Sequence, residues 1–209
     1  MQTDFILRAA DAMLAAILAH EHEIESLDRE IGDGDHFINI KRGATTIVAM
    51  RDELSALAPD EVLQRIGMKL LSTIGGASGP LFASFFITMA KTIKAEGGDG
   101  LQNVAAAFAA GVEAIKQRGK ADLGQKTMLD VLIPVAQVFQ TQAENGSDLP
   151  TVIEAIRQAA EQGMMSTRDM IATKGRAAFL GERSIGHIDA GAKSSQVMIN
   201  AVCDLASAD

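Results

Sequence analysis

Leu27-Asp28-Arg29-Glu30-Ile31-Gly32-Asp33-Gly34-Asp35-His36 is a short acidic interruption between two stretches of helical apolar spacing. On its N-terminal side Ile6, Ala9, Met13, Ile17 and Ala19 recur on or near one face, which predicts a helix from about Thr3 to Ile24. On its C-terminal side Ala44, Ile47, Val48, Leu54 and Leu57 carry the pattern onward from about Asp35. The same period returns in Val62, Ile66, Leu70 and Ile74, in Leu81, Phe85, Met89 and Ile93, and in Val104, Phe108, Val112 and Ile115. It returns again in Leu129, Leu132, Ala136 and Phe139, where Pro134 predicts a kink, and in Val197, Ala201 and Leu205. Pro59-Asp60-Glu61 and Asp148-Leu149-Pro150 read as helix starts, with proline and acid in the first turn. Two-residue alternation is scarce. The expected fold is all-α: a single-domain antiparallel barrel or bundle of about eight helices over residues 1–209.

In an up-and-down arrangement alternate loops fall at the same end. That geometry sends Asp28–His36, Gly75–Pro80, Gly119–Thr127 and Lys174–Gly191 to one mouth, and these are the unusual segments of the chain. Asp28, Asp33 and Asp35 lie within eight residues, with Gly32 and Gly34 interleaved. The segment reads as a solvated acidic turn or as a metal site, in which a cation relieves the mutual repulsion of the carboxylates. Oxygen ligands of this kind suit Mg²⁺ before Zn²⁺. Ile74-Gly75-Gly76-Ala77-Ser78-Gly79-Pro80 reads as a plain turn, or as a loop whose backbone N–H groups meet a phosphate at a helix start. Gly119-Lys120-Ala121-Asp122-Leu123-Gly124-Gln125-Lys126-Thr127 imitates a P-loop, but Gln125 displaces the lysine and no strand precedes it, so that reading is rejected. Met128 is a core residue or a surface for a flat base. Arg176 can fork two phosphate oxygens. His187 is expected to fix its loop by a hydrogen bond, and His20 and His22, two apart on a helix, make a poor zinc pair.

The net charge of −8 argues against nucleic acid as a partner. No apolar run is long enough to suggest a membrane span, and the single cysteine, Cys203, suits a reducing compartment, so a cytoplasmic protein is expected. Three aspartates facing a nucleoside diphosphate would repel strongly, whereas two Mg²⁺ and Arg176 come close to neutralising them.

Taken together, Leu27–His36, Gly75–Pro80, Lys126-Thr127-Met128-Leu129-Asp130 and Gly175–Gly191 resemble the nucleotide-binding L subunit of the dihydroxyacetone kinase family. The resemblance implies an eight-helix barrel holding ADP, or ATP, at one end through two Mg²⁺ ions. It assigns metal binding to Asp28, Asp33 and Asp35. It places His36, Phe37, Ile38 and Asn39 at phosphate and ribose, and Ala77 and Ser78 in the small-residue loop. Gly119 and Met128 would lie near adenine, and Arg176, Asp189, Ala190 and Gly191 would complete the pocket. It implies a kinase subunit, with sugar held on a separate K subunit and the phosphoryl group supplied by a phosphotransferase-system subunit. In other family members the nucleotide exchanges as ATP. A transcription regulator and a second copy of the chain are further partners it allows. The sequence departs from the family pattern at Phe37, Gln125, Ala178, Phe179 and Ala190.

Overall fold

The computed structural model describes residues 2–76, 78–97 and 100–208. Its α-helices are α1 (Thr3–Ala19), α2 (Glu21–Ile31), α3 (His36–Ala49), α4 (Arg51–Leu54), α5 (Pro59–Thr73), α6 (Ser78–Glu96), α7 (Leu101–Gly119), α8 (Leu129–Glu144), α9 (Leu149–Ser166) and α10 (Ala190–Ala208). Two 3₁₀ segments, Thr167–Asp169 and Arg176–Ser184, lie between α9 and α10, and no strand occurs among the described residues. None of the helices is long and apolar enough to cross a membrane.

Eight helices close a ring. Each packs on its neighbour in the order α1, α3, α5, α6, α7, α8, α9, α10, and α10 returns to α1. Most successive ring members are joined by short connections and run antiparallel, while α2 is inserted between α1 and α3 and the two 3₁₀ segments between α9 and α10. The apolar stripes meet inside: Leu7, Val62, Ile66, Leu70 and Ala107 on one side, Val131, Val135, Val152 and Ala160 on the other. Edge-on contacts between Phe86, Phe85 and Phe108, with centroids 5.2 and 5.6 Å apart, link α6 to α7. Asp148 starts α9 by accepting the Thr151 N–H at 3.0 Å, as an N-cap should. Cys203 is buried, and burial pushes its thiol up to about 11.

The first expected helix is in fact two. His20 leaves helical geometry (φ −106°, ψ 17°), and its Nδ1 lies 2.9 Å from the Ala16 carbonyl, which also accepts the His20 N–H. Ile17, Ile24 and Ile31 remain buried across the break, so the apolar stripe alone conceals it. Asp28 therefore stands in the last turn of α2 and not in a loop. The second expected helix is likewise divided at Met50. Residues 176–184, read as irregular, are 3₁₀, broken at Gly181. Pro134 lies inside α8, which is assigned without interruption from Leu129 to Glu144.

Candidate nucleotide and metal site

The four odd-numbered connections of the ring meet at one end. Arg176 Nε is 2.8 Å from Asp33 Oδ2, tying the 3₁₀ segment to the acidic loop. His36 Nε2 lies 2.9 Å from Ser194 Oγ, and His187 Nδ1 lies 2.8 Å from Glu30 Oε2. Asn39 Oδ1 lies against Gly75, and Gly119 against the Leu81 side chain. The Thr173 N–H donates to the Gln125 carbonyl. At the opposite end Gln102 donates to the Ala143 carbonyl and Thr3 to that of Leu57.

Local chemistry explains how the carboxylates converge. Gly32 N donates to the Asp28 carbonyl at 2.6 Å, ending α2. The chain passes so near Asp28 that a Cβ on Gly32 would sit 1.9 Å from Asp28 Oδ1 and 2.7 Å from its carbonyl oxygen. Gly34 then takes a left-handed turn (φ +77°), which glycine adopts without steric cost. The His36 N–H, first in α3, donates to Asp28 Oδ2 at 3.0 Å. One carboxylate oxygen from each of Asp28, Asp33 and Asp35 falls within 4.8 Å of the others. Asp28 is buried, and Asp33 and Asp35 are exposed.

The electrostatics record the crowding. Asp35, exposed but partly desolvated by its neighbours, is raised from the ordinary carboxylate value by that desolvation and then by the charge of Asp33 and Asp28, against a hydrogen bond from Asn39. His36 is lowered because burial outweighs the pull of the three carboxylates. A hard divalent cation fits this all-oxygen donor set and would offset its repulsion.

The remaining expected site residues divide. Ile38 is exposed and Asn39 buried at the start of α3. The Phe37 ring is 2% exposed and packs with Ile17, Ile24 and Ile40, so a ligand at this turn would meet its backbone and not its ring. Successive side chains on a helix are turned by about 100°, which carries Phe37 inward and Ile38 outward. Ser78 opens α6, and Ala77 lies outside the described residues. Met128, half-buried, precedes α8 and packs beside Leu129 and Leu132. A Cβ on Gly191 would lie 3.6 Å from Met128, so the start of α10 and the Met128 turn are adjacent. Asp189 Oδ2 accepts the Ala192 N–H at 2.8 Å; burial pushes its carboxyl up to about 6. Ala190 is buried.

Sequence reasoning assigned no role to Lys126, Asp130 or Ser194. Ser194 carried no signal beyond its small size. Lys126 and Asp130 lie in a stretch that had been singled out, but nothing in the sequence marks a loop lysine as buried.

A closed ring of antiparallel helices that gathers carboxylates, an arginine and two helix starts at one mouth defines an all-α protein with a charged loop cluster at one end. The chain belongs to the DAK2 domain family, whose pattern matches residues 30–204. It is 43% identical to the PEP-dependent dihydroxyacetone kinase, ADP-binding subunit DhaL, of Escherichia coli (strain K12), over 84% of each chain. It is 37% identical to the corresponding subunit of kinase 2 from Listeria innocua serovar 6a, over 98% of this chain and 95% of that one. It is also 32% identical to triokinase/FMN cyclase of Mus musculus, where it covers 93% of itself and 34% of that protein. Among solved structures it superposes on the dihydroxyacetone kinase of C. freundii in complex with AMP-PNP and Mg²⁺, with a TM-score of 0.75 at 24% identity. That match spans 97% of this chain and 33% of the other, and it shows the shared fold.

Proposed function

We propose that the chain is the nucleotide-carrying subunit of a dihydroxyacetone kinase, one domain over residues 1–209 that holds ADP through Mg²⁺. The observation that carries this reading is the approach of Asp28, Asp33 and Asp35 to within 4.8 Å beside Arg176. In this reading the three carboxylates hold two Mg²⁺ ions. Asp28, Asp33 and Asp35 would hold the metal, which would supply positive charge to offset that of the phosphate oxygens. Arg176, exposed and ion-paired with Asp33, forks a phosphate. In the first turn of α3, Phe37 and Ile38 offer backbone N–H groups to phosphate or ribose, while the N–H groups of His36 and Asn39 are taken by Asp28 and Asp35 and these two residues offer their side chains. The small-residue loop with Ala77 and Ser78 is a second phosphate contact in this reading. Gly119 and Met128 flank adenine, and Asp189, Ala190 and Gly191 close the far side.

The phosphoryl acceptor in this account is sugar on a separate K subunit. The donor is a phosphotransferase-system subunit, because the relatives that match most of their own length are named PEP-dependent or PTS-dependent dihydroxyacetone kinase subunits. The chain has no Trp or Tyr, so bound adenine would dominate its ultraviolet spectrum. Purified protein should show a 260 nm band that a chelator removes, and Asp33→Ala should emerge without it. Full ADP occupancy in Asp33→Ala would overturn the assignment.

A further inference from the structure

Lys126 is 1% exposed, although it belongs to the connection between α7 and α8. Its backbone is left-handed (φ +62°), a conformation that disfavours any side chain. Asp130 imposes it: one carboxylate oxygen accepts the Gly124 N–H and the other the Thr127 N–H at 2.7 Å, clamping the turn on both sides of Lys126. The lysine is thereby buried, and its ammonium donates to the main-chain carbonyls of Thr167 and His187. Thr167 Oγ1 in turn accepts the Asp189 N–H at 3.1 Å, just before α10 begins. Burial pulls the Lys126 ammonium down, and Asp189, Asp169 and Asp130 oppose that pull.

A buried ammonium that gives its protons to main-chain carbonyls of other segments fixes their relative position. Here those segments are the end of α9, the chain leading into α10, and the turn before Met128. We propose that Lys126 is a positioning residue for the nucleotide pocket: it ties the strap of residues 167–191 to the Met128 turn, so that Arg176 and Met128 address one ligand. The proposal rests on the nucleotide reading above.

The test uses Lys126→Ala, with n-propylammonium supplying the four atoms removed, tetramethylammonium as a cation that cannot donate, and Lys126→Met as a second variant. Mg-ADP affinity is measured by calorimetry and amide exchange across residues 167–189 by mass spectrometry. Lys126→Ala should bind Mg-ADP at least about tenfold more weakly and exchange faster across the strap. Added n-propylammonium should restore both properties, and tetramethylammonium neither. Lys126→Met, which keeps the apolar stem, should show the same loss of affinity while melting cooperatively, and it decides the matter where Lys126→Ala does not fold. Affinity within about twofold of wild type in a folded variant, or no rescue by n-propylammonium, overturns the proposal. Failure of the wild-type chain to bind Mg-ADP would instead sink the nucleotide reading, and strap exchange would still decide whether Lys126 pins the segment.

Discussion

Gly32→Ala is the sharpest steric probe of the carboxylate cluster. The new methyl would lie 1.9 Å from Asp28 Oδ1 and 2.7 Å from the Asp28 carbonyl oxygen. The carboxylate can rotate away, but that removes a metal ligand. The carbonyl cannot, because it ends α2 by accepting Gly32 N at 2.6 Å. Reaching even a 3.0 Å contact requires a backbone shift of at least about 0.3 Å. Overpacking of this kind costs about 1–3 kcal/mol. Taken from ligand geometry, it should weaken Mg-ADP binding roughly 5- to 150-fold. Gly34→Ala is the control. A Cβ there meets only Arg29 Cγ at 3.9 Å, but the φ of +77° charges it about 1–2 kcal/mol of stability. Calorimetry with Mg-ADP and thermal melts of both variants separate the two effects: affinity should fall further in Gly32→Ala than in Gly34→Ala. A Gly32→Ala protein that melts normally and binds Mg-ADP as wild type does would refute the reasoning.

Two other outcomes follow from burial. Phe37→Ala should cost about 3–5 kcal/mol in denaturant unfolding, since the ring is buried among Ile17, Ile24 and Ile40; a loss below about 1 kcal/mol would place the ring outside the core. Asp189, pushed from 3.8 up to about 6, keeps its proton in the folded chain where the unfolded chain has released it. Its contribution to stability is fully present below about pH 4 and is lost as the pH rises through about 6, a swing of about 3 kcal/mol. Asp189→Asn, which keeps an acceptor for the Ala192 N–H, should remove that slope, as unfolding free energies across this window would reveal; an unchanged slope contradicts the burial argument.

The fold was legible because every ring helix shows an apolar face, as in Val62, Ile66 and Leu70 of α5. The break at His20 was not legible, because Ile17, Ile24 and Ile31 hold one stripe through it. The acidic cluster declared itself through the interleaving of aspartate with glycine. The burial of the Phe37 ring was not legible beside the cluster, because packing against Ile17, Ile24 and Ile40 decides it. Lys126 was hidden for a different reason. A lysine in a loop normally faces water, and the grip of Asp130 on the Gly124 and Thr127 amides turns it inward.

The central claim is that divalent cations bridge these carboxylates to a diphosphate. Crystals grown with Mn²⁺ and ADP test it most directly by anomalous scattering. Mn²⁺ peaks should appear among Asp28, Asp33 and Asp35, contiguous with density for the diphosphate. Ordered ADP elsewhere on the chain, or ADP at this mouth with no metal peak between the carboxylates, would contradict it.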